Sequence, residues 1–271
     1  MIDFHQHLED PHQPGQELIH FETSDQLCDL LIQHEQFIKL LGCEKVNVIF
    51  NQPRFLFEKS VEDALDKYFA KGEKRIFFTF SVDHNNVFSS QRLKYLRKKC
   101  DLLLGIKFHS VLQNITDDQF PHVLQIAEAA SQHNMFVIVD GSYGAKSIHE
   151  VDHLKLADFL CQNIATPVVF AHSGCLKVKE AMLISLERPN MNLYFDTSFI
   201  LSFWRGSSVE QDLAFVIKKL GVEKFFFGSD YPYLDFRTEF DLQSNFLEKN
   251  QIPQDAIFRT SAENFLSALS M

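Results

Sequence analysis

A small set of residues in this chain has the types and spacing to hold a divalent cation and move a proton beside it. His5 and His7 stand two apart in "MIDFHQHLED". Further on, "GIKFH" ends in Lys107 and His109, "VIVD" in Asp140, "PVVFAH" in His172, "NLYFD" in Asp196 and "FFFGSD" in Asp230. An H-x-H pair is unspecific by itself. The chain has 12 His, and two solvated surface imidazoles are the ordinary reading of such a spacing. In an extended strand, however, residues two apart share a face, about 6–7 Å apart at Cα. Two imidazoles placed that way reach one ion through bonds of about 2.0–2.1 Å. Buried unpaired charges are too costly to cluster without a compensating ion.

The elements that must position these residues alternate in type. Short β-branched or aromatic runs occur at 1–5, 45–50, 75–82, 102–109, 135–140, 167–172, 191–196 and 224–230. Segments of helical periodicity separate them. The segment 24–42 opens on Ser24 and closes on Gly42, suited to the two caps. The segment 116–134 opens "TDD", acids suited to a helix N-terminus, with Pro121 in its first turn. Others cover about 59–71, 89–99, 150–163, 175–188, 208–220 and 238–249, before a last helix towards the C-terminus.

Eight near-continuous apolar strands alternating with helices predict a parallel sheet closed into a (β/α)8 barrel, one domain over 1–271. An open doubly wound sheet usually carries a Gly-rich phosphate turn after its first strand. Here "HQHLED" stands in that place. In such barrels the C-terminal strand ends carry the active site, and that is where these ionisable residues fall. Asp83 and His84 mark the end of the third strand in the same way.

Composition narrows the function. A net charge of −10 argues against nucleic acid, which requires a basic face. Five scattered Cys, with no C-x-x-C, argue against a disulfide framework and a thiolate zinc site, and for a reducing compartment. The opening "MIDF" already reads as structure, without a basic leader, and no apolar run reaches about 18 residues. The expectation is a cytoplasmic protein with a small-molecule substrate and no nucleic-acid or membrane partner. A homo-oligomer is compatible with the sequence.

The ordered set "IDFHQH", "GIKFH", "PVVFAHSG", "NLYFDTS", "FFFGSDYP" and "SAENFLSAL" resembles the amidohydrolase superfamily, specifically the amidohydrolase 2 branch that includes the aminocarboxymuconate-semialdehyde decarboxylase-like enzymes. The matches run from residue 2 to residue 269. The resemblance implies a metal held by His5, His7, a fifth-strand residue and Asp230, with His172 as acid/base or substrate polariser. Where members of the branch usually carry His on the fifth strand, this chain has Asp140. A carboxylate is a legitimate zinc ligand. It makes the site more anionic and harder, so Mn or Fe is accommodated beside Zn. The alternatives for Asp140 are a role behind the ligands, or a decayed site.

Asp230 also reads as the base that takes a proton from water. Lys107 and His109, on one strand face, could meet an acidic substrate group. Asp196 reads as a residue that orients its neighbours. The segment 198–206 supplies Phe199, Phe203, Trp204 and Arg205. These form either a helix-packing stripe or an aromatic wall with an Arg for a carboxylate. The leading expectation is metal-dependent hydrolysis of an amide, lactone or ester. The rivals are non-oxidative decarboxylation of an aromatic or unsaturated acid, and a barrel that binds a metabolite without turnover.

Overall fold

A computed structural model describes residues 1–18, 20–142, 150–188 and 192–269. Eight parallel strands lie side by side in chain order: β1 (Ile2–Gln6), β4 (Lys45–Phe50), β5 (Ile76–Ser81), β6 (Leu103–Phe108), β7 (Phe136–Val139), β8 (Val168–Phe170), β9 (Leu193–Asp196) and β10 (Phe225–Phe226). The last returns to the first. Phe4 N–H donates to Phe227 O at 2.8 Å, Asp230 N–H to His5 O at 2.8 Å, and Gln6 bridges Tyr231 in parallel. The barrel predicted from the alternation is therefore the observed fold. A short antiparallel hairpin, β2 (Glu9–Asp10) and β3 (Gln13–Glu17), follows the first strand. Among the described residues the α-helices are α1 (Ser24–Leu40), α2 (Lys59–Lys71), α3 (Ser89–Lys99), α4 (Phe120–Ser131), α5 (His153–Asn163), α6 (Val178–Glu187), α7 (Ile200–Trp204), α8 (Ser208–Leu220), α9 (Phe236–Lys249) and α10 (Ser261–Leu269). Among the described residues, no helix is long and apolar enough to cross a membrane.

Helix ends follow local chemistry. Thr23, one residue before the expected Ser24, caps α1 by accepting from Gln26 N–H. Thr116 and Gln119 form a reciprocal capping box ahead of α4, which holds Pro121 in its first turn.

The interior of the barrel is filled by aromatic and aliphatic side chains away from the mouth. Ile2, Phe4, Ile49, Phe77, Phe136, Ile138, Val169 and Phe226 form one cluster, joined by Phe265 and neighbours from α10. Phe265 is the plug. Its ring lies 5.4 Å from Phe4, 4.9 Å from Tyr194 and 4.9 Å from Phe226 between centroids.

Ile2 and Phe4 belong to this inner cluster, so simple alternation along β1 would send His5 and His7 outward. A bulge prevents this. Asp3 to Gln6 on β1 spans only Val46 to Val48 on β4, one extra residue, after which the histidines face the mouth. The expectation that His5 and His7 share a face therefore depends on a local irregularity as well as on pleat period.

Phe265→Ala is expected to lower unfolding free energy by about 3–5 kcal/mol, the usual cost of removing a buried aromatic side chain. Urea denaturation checks this; a loss below about 1 kcal/mol would show that α10 does not seal the barrel.

Candidate metal centre and active site

His5, His7 and Asp230 converge at the mouth. Asp230 Oδ1 lies 3.7 Å from His5 Nε2 and 3.6 Å from His7 Nε2. One donor atom from each of the three falls within 4.8 Å of the others. Each imidazole is held by its other nitrogen. His5 Nδ1 pairs with Asp196 Oδ2 at 2.9 Å. His7 Nδ1 pairs with Ile49 O at 3.0 Å and Glu17 Oε2 at 3.2 Å. These acceptors place the proton on Nδ1 and leave the Nε2 lone pair facing inward, which a metal ligand requires. Burial pushes the His5 imidazole down to about 4, against the opposing pull of Asp196, so it is neutral at pH 7. The residues present fit a divalent cation.

The opposite wall is built from Lys107, His109, Asp140 and His172. Lys107 Nζ is 2.9 Å from Asp140 Oδ2 and 3.3 Å from His5 Nε2. His109 Nε2 and His172 Nε2 each lie 3.6 Å from the same Asp140 oxygen. Asp140 thus faces three nitrogen groups and does not fall within the cluster of His5, His7 and Asp230. Gly105, two residues before Lys107, leaves this strand face clear, since a Cβ there would overlap the Phe136 ring and the Thr79 hydroxyl.

Two of these residues reach the mouth through left-handed backbone. His172 has φ 56° and Asp230 φ 59°. Such conformations are costly for side chains other than Gly and persist only when surrounding contacts enforce them. His172 N–H donates to Asp196 Oδ1 at 3.0 Å, and Ser173 Oγ donates to Asp196 O at 2.8 Å. The His172 Nδ1–H meets Ser198 Oγ at 2.9 Å, and that hydroxyl donates in turn to Asp196 Oδ1. His5, His172 and Asp196 also approach one another closely enough to suggest an ion. Asp196's oxygens already accept from His5, His172 and Ser198, so this group reads as a hydrogen-bonded scaffold.

Electrostatics separates the two walls. Burial alone would lower His172, but Asp140 outweighs it, with Asp230 and Asp196 helping, and the imidazole rises to about 9. Burial would raise Asp140 and Asp230. His109, Lys107 and His172 hold Asp140 well below the usual carboxylate range, and His7, His172 and His5 hold Asp230 below it. Burial pushes His109 down to about 4.

Trp204 and Arg205 stand apart from this group. Trp204 packs against the outer core cluster, and exposed Arg205 lines a surface groove with Glu210 and Lys249. From that segment Ser198, bonded to the His172 ring, and Phe199, its own ring 5.5 Å from His172, reach the site. Phe199, with φ 63°, stands at the start of α7, whose Ile200 and Leu201 are buried in the outer core cluster. His84 contacts Asn85, and Asp83 caps the turn before α3. Sequence reasoning missed Glu17 and Tyr233. Glu17 arrives on the hairpin, and the Tyr233 ring lies 5.5 Å from His7. The second Tyr of "DYPY" was a signal for the latter; nothing local marked Glu17.

A parallel (β/α)8 barrel with two strand-one histidines and a strand-eight aspartate facing one point is the framework of a metal-dependent enzyme. The chain belongs to the amidohydrolase family, whose model matches residues 2–266. No curated protein sequence matches it. Its fold is similar to a probable 2-pyrone-4,6-dicarboxylic acid hydrolase from Acinetobacter baumannii with citric acid bound (TM-score 0.68, 13% identity, 98% of each chain covered). It is also similar to an amidohydrolase from Burkholderia multivorans with bound zinc (TM-score 0.64, 15% identity, 98% of each chain). A dihydroxybenzoic acid decarboxylase from Polaromonas sp. JS666, with manganese and 2-nitroresorcinol, is similar as well (TM-score 0.62, 12% identity, 98% of this chain and 96% of that one).

Beneath Asp230, Gln243 Nε2 donates to Gly228 O at 2.8 Å and reaches Glu239 Oε2 at 3.4 Å. Burial raises Glu239 from 4.5 to about 7. The folded-state value lies above the unfolded one. Its contribution is therefore fully present below about pH 4.5 and is lost as pH rises through 7. Glu239→Gln should then melt higher than the parent at pH 8, with the difference shrinking by pH 5. Thermal melts across that range check this, and an equal difference at both ends would refute it.

Proposed function

We propose that this protein is a metal-dependent hydrolase that opens a small-molecule amide, lactone or ester. The observation that carries this reading is the convergence of His5, His7 and Asp230 on one point of the mouth, with His172 on the facing wall. Against burial, the pull of neighbouring charges lowers the Asp230 carboxylate and raises the His172 imidazole. Two titratable groups pushed apart in pKa form a base and an acid. His5, His7 and Asp230 would hold the cation, with Zn, Mn and Fe all compatible with two imidazoles and a carboxylate. Bound there, a divalent ion supplies Lewis acidity and brings the pKa of a water towards about 7.

The chain's own residues would do the rest. Asp230 accepts the proton of the attacking water. His172 hydrogen-bonds through Nε2–H to the oxygen that gains charge, then releases that one proton to the leaving atom. Asp196 and Ser198 keep that ring oriented through Nδ1. Lys107 and His109 meet a polar or acidic substrate group, and Phe199 shapes the wall beside His172.

A decarboxylase is the second reading. It is supported by Lys107 and His172, which both face the same Asp140 oxygen in the mouth and would suit a substrate carboxylate, and by the Phe199 ring beside His172 for an aromatic body. Metal-loaded protein assayed against lactones, cyclic amides and aromatic acids separates the two, since decarboxylation alone releases CO2. Acid product without CO2 supports hydrolysis; CO2 from an aromatic acid, with no hydrolytic turnover, overturns it.

Replacing His5 and His7 together with Ala should leave the barrel folded and remove bound metal, read by elemental analysis and circular dichroism. Unchanged metal content would refute the ligand assignment. Asp230→Asn should lower kcat by about 10²–10⁴-fold at equal metal loading, a general base's usual share.

A further inference from the structure

We propose that Lys107 is an internal competitor of the bound cation, holding Asp140 out of its coordination and setting the affinity of the site. This rests on the metal-binding reading above. Lys107 Nζ stands between the two walls, 3.3 Å from His5 Nε2 and 2.9 Å from Asp140 Oδ2. Both side chains are about 2% exposed, so water does little to screen them. An ion bound to His5 Nε2 at about 2.0–2.1 Å would therefore sit close to a buried ammonium.

The same geometry explains how a carboxylate can replace the histidine expected on this strand. A neutral imidazole adds no charge to a buried site, whereas Asp140 adds one. Lys107, on neighbouring β6, cancels it. The register pairs Lys107 with Ile138, two residues before Asp140 on the same strand face. Asp140 then has two available partners, the ammonium and the cation, and the ammonium is already at contact distance. While Lys107 keeps the carboxylate, His5, His7 and Asp230 would be the residues left to hold the ion.

Opposite signs follow for the two members of the pair. Asp140→Asn leaves the Lys107 charge uncancelled beside His5 and weakens Zn²⁺ and Mn²⁺ binding by about 10–100-fold, the range for groups acting behind a ligand. Lys107→Met removes the competitor and tightens binding by at least about tenfold. The double variant Lys107→Met/Asp140→Asn binds clearly more tightly than Asp140→Asn alone, although it has lost a carboxylate. The proposal returns the double variant to about the parent's affinity, since a neutral pair replaces a neutral pair, whereas a directly ligating Asp140 predicts a double variant that stays well below the parent.

The experiment is a competition titration of chelator-stripped, full-length protein with Zn²⁺ and with Mn²⁺ against an indicator dye. His7→Ala serves as the control. Recovery of the double variant to about the parent's affinity supports the proposal, and this comparison does not require Lys107→Met alone to fold. A double variant that stays well below the parent, with His7→Ala having lost binding, overturns it and leaves the metal reading standing. Equal binding by His7→Ala and the parent overturns the metal reading itself, and this inference with it.

Discussion

The mouth of the barrel is organised around the charge of Asp196, a carboxylate with no exposure to solvent. A buried carboxylate is tolerable only when donors surround it. Here one oxygen accepts from the His5 ring, and the other from the backbone of His172 and Ser198 and from the Ser198 hydroxyl. Burial works to raise its pKa, but His5 and His172 pull it down to about 2. Meeting the needs of this one group fixes the tautomer of His5 and the position of His172 across the mouth. The orienting role expected of Asp196 is thus a consequence of hydrogen-bond completeness.

Backbone irregularity does the aiming. A regular strand gives a side chain one of two directions, and the inner faces of β1, β8 and β10 are already committed to core residues such as Phe4, Val169 and Phe226. Delivering His5, His172 and Asp230 to the same mouth takes a bulge in β1 and left-handed residues after β8 and β10. Gly228 permits the last of these approaches, because a Cβ there would press on the Cβ atoms of His5 and Ser198. Strain and close approach are concentrated where chemistry is expected.

What could be read in the sequence follows from this division. The eight strands and the barrel were legible because apolar runs alternated with helical periodicity and carried ionisable residues at their C-terminal ends. His5, His7 and Asp230 were legible as strand-end residues for the same reason, and their grouping as one set came from the resemblance to the amidohydrolase 2 branch. Contacts between elements far apart in the chain were not. Nothing near residue 17 announces that the hairpin brings Glu17 back to His7 Nδ1. Trp204 and Arg205 looked suited to a substrate wall by type, yet the direction of α7 depends on the backbone at Phe199, which composition does not encode. Asp140 could be placed at a strand end, but neither segment announces that Lys107 on neighbouring β6 stands 2.9 Å from its carboxylate.

The density of charge in the mouth also requires something rigid below it. Lys107, Asp140, His172, Asp196 and Asp230 are all nine-tenths or more buried, and a small spread of the strands would admit water and loosen every pair among them. The layers beneath are aromatic to an unusual degree, with Phe4 in ring contact with Phe77, Phe136, Phe226 and Phe265. Flat, stiff side chains fill the tapering interior with few rotatable bonds. The abundance of Phe, which by itself reads as core filler, thus has a consequence for function. The aromatic floor holds the strand ends at fixed separations, and those separations set the distances between His5, His7 and Asp230 on one wall and Asp140 and His172 on the other.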